Sequence, residues 1–203
     1  MKISILLPYK ENFSPEYAGA VSLFVKDTVK ISNFKNNISV YGNTSYTKGF
    51  NINYQNLILN RKFLNSTTKL YIKSFLDMEK KNKSDLIEVH NRPIYIRQIL
   101  ENINTNIVLY YHNDPLSMNG SKLDEERLYL LNNCNYIIVI SEWIKNRFLY
   151  NLNIDDQLAK KLLVIPHSTK KIKNLNLINK KKEIIIFVGK LNSQKGYDLF
   201  GNV

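Results

Sequence analysis

Short apolar runs rich in β-branched residues alternate along this chain with segments whose apolar positions recur every three or four residues. That is the pattern of strands and helices in successive βαβ units. The runs at 2–8 (KISILLP), 38–42 (ISVYG), 56–60 (NLILN), 85–89 (DLIEV), 107–111 (IVLYY), 136–140 (YIIVI) and 162–166 (LLVIP) read as strands. Between them, Val21, Phe24, Val25 and Thr28 share one helix face behind Ser14-Pro15, which has the form of a helix cap. Tyr71, Phe75 and Met78 form a second stripe, and Ile96, Ile99, Leu100 and Ile103 a third behind Pro93. Ser121, followed by Asp124, Glu125 and Glu126, and Ser141, followed by Trp143, Ile144 and Phe148, read as the starts of two more helices. The fold expected for 1–168 is therefore α/β, a Rossmann-like doubly wound parallel sheet. A basic, Asn-rich stretch at 169–182 reads as a linker. EIIIFVG at 183–189 then reads as a new strand, so 183–203 is expected to be the incomplete start of a second α/β domain.

Composition narrows the class. With 203 residues and 44% hydrophobic content the chain can bury one substantial core. Its single cysteine, Cys134, allows no internal disulfide, reads as buried packing and fits a reducing cytoplasm. The first twenty residues are too polar for a signal peptide, and no apolar run reaches the length of a membrane span. The net charge of +12 points at first to an acidic partner. Residues 1–168 hold 21 basic and 15 acidic side chains, while 169–203 hold 8 and 2. Half of the surplus thus sits in a short stretch around Lys170–Lys182, which reads as a solvated linker more readily than as a nucleic-acid surface. An anionic membrane surface or a phosphorylated substrate is left open as a partner for this charge.

Ligands of open α/β sheets bind at the carboxyl ends of the strands. Four polar clusters fall there: Tyr9–Gly19, His90-Asn91-Arg92, His112-Asn113-Asp114 and Ser141-Glu142. His90 and His112 follow consecutive strands, and on neighbouring strands their imidazoles share one crevice. Each of these residues also has a purely structural reading: a hydrogen-bonded histidine, a turn-forming Asp114, a capping Ser141. The spacing offers no metal site, since there is no His-x3-His and no cysteine pair. GKLNSQKG (189–196) follows an apolar run, and a glycine turn entering a helix with lysines five apart can present N–H groups and charge to a diphosphate.

The order of these motifs resembles the family-four retaining glycosyltransferases of the GT-B fold. FVGKLNSQKGYDLF (187–200) is similar to that family's Phe-Val-Gly-Arg-Leu…Lys-Gly segment, with Lys190 and Lys195 at the basic pair that grips the donor diphosphate. EYAGAVSLFV (16–25), DLIEVHN (85–91), VLYYHNDP (108–115), YIIVISEWIKNRF (136–148) and VIP (164–166) fall in register with the earlier landmarks. The resemblance implies transfer of a hexosyl unit from a nucleotide sugar to a glycan or glycolipid hydroxyl. It implies no metal and no cofactor beyond the nucleotide-sugar co-substrate. It places His112 against the transferred sugar, Gly19 along the donor phosphate, and His90, Asn91, Asn113 and Ser141 in the substrate cleft. A cytoplasmic location, with peripheral contact to an anionic membrane, is the setting it suggests. The sequence departs from the family at Lys190, which stands for arginine, at Ala18-Gly19, which stands for a glycine pair, and at His167-Ser168, which stands for Asn-Gly. The family's Glu-x7-Glu motif does not occur within the 203 residues, so the chain is expected to be the front part of such an enzyme, with a non-catalytic remnant or a partner-dependent half-enzyme as the alternatives.

Overall fold

The computed structural model describes residues 1–45, 49–59, 66–168, 185–189, 191, 193 and 196–201. The chain divides into two compact units, Met1–His167 and Ser168–Val203. The first carries β1 (Ile3–Leu6), α1 (Ala20–Ile31), β2 (Ile38–Gly42), β3 (Tyr54–Asn56), α2 (Thr67–Lys81), β4 (Leu86–His90), α3 (Ile94–Leu100), β5 (Asn106–Tyr111), α4 (Asp124–Asn133), β6 (Tyr136–Val139), α5 (Glu142–Leu149), α6 (Asp156–Ala159) and β7 (Leu162–Val164). In the second, α7 (Tyr197–Phe200) follows Gly196, whose φ of 74° suits a residue without a Cβ.

All seven strands run parallel in the order β3-β2-β1-β4-β5-β6-β7. Side chains alternate across a strand, so each strand feeds two cores. Ile3 and Ile5 of β1 and Val40 of β2 pack with Val21, Val25 and Val29 of α1. Leu6, Ile87, Val89, Ile107, Leu109, Ile137 and Val139 face the opposite layer, where Tyr71 and Phe75 of α2, Ile96 and Ile99 of α3 and Leu130 and Leu131 of α4 cover them. The sheet is thus wound on both sides, and its order reverses between β1 and β4, the switch point at which such sheets bind ligands. Among the described residues no helix is long and apolar enough to cross a membrane.

Several local expectations shift. Ser14-Pro15 does not open a helix: α1 begins at Ala20 with Gly19 as its cap. Residues 7–19 are held as a loop instead, by the Tyr71 hydroxyl on the Leu7 carbonyl (2.8 Å) and by the Tyr9 N–H on the Tyr95 hydroxyl (3.2 Å). Ser121 is buried and donates to the Pro115 carbonyl (2.6 Å), so the helix behind it starts at Asp124, with the acids in its first turn as expected. The third strand is Tyr54–Asn56 and not 56–60, because pairing of Tyr54 with Val40 lets its ring stack on Phe13 at 5.3 Å. Of the strand expected at 183–189, residues 183 and 184 lie outside the described residues. Ile185–Gly189 carries no strand, and Ile185, Ile186 and Val188 are exposed, with no described strand beside them to take their hydrogen bonds. Cys134 is buried as expected, and desolvation pushes its thiol up to about 12.

Arg127 ties the loops above the sheet together. Fully buried, its guanidinium donates to the carbonyls of Ser121 (3.1 Å), Lys122 (2.9 Å) and Tyr150 (2.7 Å) and pairs with Asp124. Arg127→Met keeps the volume but orphans these acceptors, and should cost about 2–4 kcal/mol in urea unfolding. An unchanged unfolding midpoint would show that water replaces the guanidinium there.

Candidate functional site

The site is built on two adjacent strands. Alternation on β4 puts Glu88 and His90 on the α1 side of the sheet, and alternation on β5 puts Tyr110 there with His112 just beyond it. The parallel register sets His90 beside Tyr110. The His90 ring stacks on Tyr110 (5.1 Å, 12°) and on His112 (5.1 Å, 20°). His167, which follows β7, reaches the same place and stacks on Phe24 of α1 (4.6 Å, 25°). Phe24 also meets His112 edge-on at 5.1 Å and roofs the cluster.

Within it runs an unbroken hydrogen-bonded chain. Glu88 Oε1 lies 2.6 Å from His90 Nε2, His90 Nδ1 lies 2.8 Å from His112 Nε2, and His112 Nδ1 lies 2.7 Å from His167 Nε2. These three imidazoles are all the histidines the sequence has. His90 is 0% exposed and His112 9%, whereas His167 is exposed, so the chain passes from the sheet to the surface. Burial, followed by the neighbouring His90 and His167, lowers His112 to about 3, and burial with His90 lowers His167. His112 is therefore neutral across the physiological range.

Asn91 anchors the turn above the chain. It adopts a left-handed φ of 51°, a conformation asparagine tolerates. Its N–H donates to the Tyr110 carbonyl (2.8 Å), and its side-chain oxygen accepts from the His112 N–H (2.7 Å). Beside it, Tyr9, Arg92, Tyr95 and Met118 line a cleft of about 350 Å³ at the β1/β4 switch point. Arg92 donates to the Asn91 carbonyl (2.8 Å). Asn113 is exposed beyond β5. Asp114 accepts a forked contact from Arg147 of α5 at 3.0–3.3 Å. Ser141 caps α5 by accepting from the Ile144 N–H at 3.3 Å.

Gly19 stands at the start of α1, and the anion found there belongs to the chain. Glu11 Oε1 accepts from the Ser22 N–H (3.1 Å) and hydroxyl (2.9 Å), and a Cβ on Gly19 would overlap that carboxylate. Lys190 and Lys195 lie outside the described residues.

The structure thus brings His90, Asn91 and His112 together as one hydrogen-bonded unit, while Asn113 and Ser141 occupy separate turns on the same edge of the sheet. Both ring nitrogens of His112 are engaged by other imidazoles. The remaining ring nitrogen is Nδ1 of His167, on an exposed residue, and it makes no hydrogen bond to a described residue. Sequence reasoning missed Glu88, Glu11, Phe24 and the role of His167. The i, i+2 spacing of Glu88 and His90 on one strand was a usable signal, as was the placing of every histidine at or beyond a strand's carboxyl end. Among the described residues no group of side chains has the arrangement of a metal site.

No protein-family model matches the chain, and no curated protein matches its sequence. Its fold is found in solved glycosyltransferase structures. It superposes on sucrose-phosphate synthase from Thermosynechococcus elongatus with a TM-score of 0.57, at 13% identity, over 83% of this chain and 49% of that one. The apo form of the lipopolysaccharide outer core galactosyltransferase WaaB gives 0.57 at 15% identity, over 83% and 46%. Anabaena HepE in complex with UDP and glucose gives 0.53 at 16%, over 83% and 45%. The chain spans about half the length of each. The likeness establishes the Rossmann-like α/β fold that these GT-B proteins share.

Two variants test the site's construction. Gly19→Ala should expel the Glu11 carboxylate from the start of α1 and cost about 1–2 kcal/mol, and Glu11→Ala should cost a similar amount by removing the cap. Since both disrupt one contact, the double variant should be far less destabilised than the sum, and strict additivity would contradict the contact. His112 gives a pH test. Its folded form takes a proton near pH 3 and the unfolded chain near 6.5, so between these values the unfolded state binds more protons and stability falls as pH falls. His112→Asn should flatten that limb by about 1–3 kcal/mol between pH 7 and 4 in urea unfolding. Parallel profiles for parent and variant would show that His112 is not held neutral.

Proposed function

We propose that this chain is the acceptor-side half of a nucleotide-sugar-dependent glycosyltransferase. In this reading it moves a hexosyl unit from a nucleotide sugar to a hydroxyl of a glycan or glycolipid, with retention at the anomeric carbon and without a metal. The observation that carries the reading is the polar chain and cleft at the carboxyl edge of a sheet whose fold is shared with HepE, a protein crystallised with UDP and glucose.

Lys190 and Lys195 are the proposed grip on the departing diphosphate, where the greatest charge develops. Asn91 lines the cleft directly, His90 and His112 stand behind it in the hydrogen-bonded chain, and Asn113 and Ser141 add polar groups on neighbouring turns of the same edge. Gly19 lines the donor phosphate once the Glu11 carboxylate has swung away. The basic stretch Lys170–Lys182 is the proposed contact with an anionic membrane that carries a lipid-linked acceptor.

The test is product formation by the longest form of the protein that carries this chain. It is supplied with a panel of uridine-, guanosine- and adenosine-diphosphate sugars and glycan or glycolipid acceptors, and read by mass spectrometry of the acceptor and release of nucleoside diphosphate. Lys195→Ala should lower kcat by a factor equivalent to about 2–4 kcal/mol, and Lys190→Ala by less. Lys190→Arg should retain or raise turnover by restoring a forked grip. Parental turnover and donor affinity in both alanine variants would remove the diphosphate grip from the reading. Absence of transfer across the whole panel would sink the reading itself.

A further inference from the structure

We propose that Glu88, His90, His112 and His167 form a proton relay, with His167 Nδ1 as the entry point that takes the proton of an acceptor hydroxyl. The proposal rests on the glycosyl-transfer reading for the identity of that hydroxyl, and on the geometry alone for the relay.

The hydrogen positions follow from the contacts. A carboxylate only accepts, so His90 presents Nε2–H to Glu88 across 2.6 Å. In the neutral chain His90 Nδ1 is then an acceptor, and His112 must present Nε2–H to it across 2.8 Å. His112 Nδ1 accepts in turn from Nε2–H of His167 across 2.7 Å. Every N–H points inward toward Glu88, and a bare lone pair is left on Nδ1 of the exposed His167. A half-buried carboxylate thus fixes the chemical character of an atom three links away.

One added proton reverses the whole chain. It enters at His167 Nδ1. The proton on His167 Nε2 passes to His112 Nδ1, and the proton on His112 Nε2 passes to His90 Nδ1. His90 then carries both N–H protons and faces the Glu88 carboxylate as an ion pair, while His112 and His167 are neutral again as Nδ1–H tautomers. His112 is uncharged in both end states, as its burial demands. Among the described residues, the other rings packed on the chain are Tyr110 on β5, whose hydroxyl is pushed up to about 12 by burial and then Glu88, and the uncharged ring of Phe24 on α1. Neither competes for the proton.

In transfer, the acceptor oxygen forms its bond to the anomeric carbon while the bond from that carbon to the diphosphate oxygen breaks, and the electron pair leaves with the diphosphate. The hydroxyl proton goes to His167 Nδ1 and is stored as the His90–Glu88 pair until it returns by the reverse hops. This works whichever face of the sugar the acceptor attacks.

Nitrogen-15 NMR of the 203-residue chain through a pH titration tests the relay with no sugar present. One shared midpoint is expected, above which all three rings carry hydrogen on Nε2. Below it His112 and His167 carry hydrogen on Nδ1, and His90 on both nitrogens. Three separate midpoints, or His112 keeping its Nε2 hydrogen throughout, would overturn the proposal. Glu88→Gln, with its fold verified by circular dichroism, should lower the shared midpoint by about one pH unit or more as the ion pair is lost. An unmoved midpoint would also overturn it. In an active full-length form, His167→Asn should reduce kcat about 10²–10⁴-fold, with donor KM little changed and the acid limb of the pH–rate profile abolished. An unaltered profile would remove His167 as the proton acceptor. Histidines that switch together in a protein that transfers no sugar would leave the relay standing and count against glycosyl transfer alone.

Discussion

A buried imidazole needs a partner for each of its two nitrogens, and one of those nitrogens must donate while the other accepts. Nearly everything at the edge of this sheet follows from that requirement. His90 is fully enclosed, so it must find both an acceptor and a donor among its neighbours. Glu88, two residues back on the same strand and hence on the same face, supplies the acceptor. His112, on the adjacent parallel strand, supplies the donor and passes the same demand to His167. The chain can end only where solvent or a ligand is within reach.

This constraint explains why the surrounding residues are what they are. Asn91 turns the chain sharply after β4 in a left-handed conformation and holds the His112 backbone from above. Phe24 excludes water from the stacked rings without offering a competing polar group. The open cleft lies on the other side of Asn91, lined by Tyr9, Arg92 and Tyr95, so the relay and the cleft share one turn but face different surroundings. At the neighbouring start of α1, Glu11 already supplies the negative charge a helix N-terminus attracts.

Much of the fold was legible because it depends on periodicity. Six of the seven strands were expected within a residue or two of where they lie, and the stripes of α2 and α3 point where their spacing put them. The failures are where chemistry over distance overrides local signals. Ser14-Pro15 and Ser121 look like caps in sequence, but hydrogen bonds from distant or buried partners commit those segments to loops. The third strand is displaced because the contact of Tyr54 with Phe13, far apart in sequence, sets its register. At the site, the pairing of His90 with His112 was readable from consecutive strands. His167 carried only its position beyond a strand's end as a signal, because its approach depends on the path of the chain after β7, and Glu88 was read only as part of a strand.

Neutron diffraction from crystals of the deuterated chain at about pH 8, above the ordinary range of imidazole titration, would locate the protons directly. The inward-directed relay requires deuterium on Nε2 of His90, His112 and His167, and a bare Nδ1 on His112. Deuterium on Nδ1 of His112, or on a Glu88 oxygen facing His90, would contradict it.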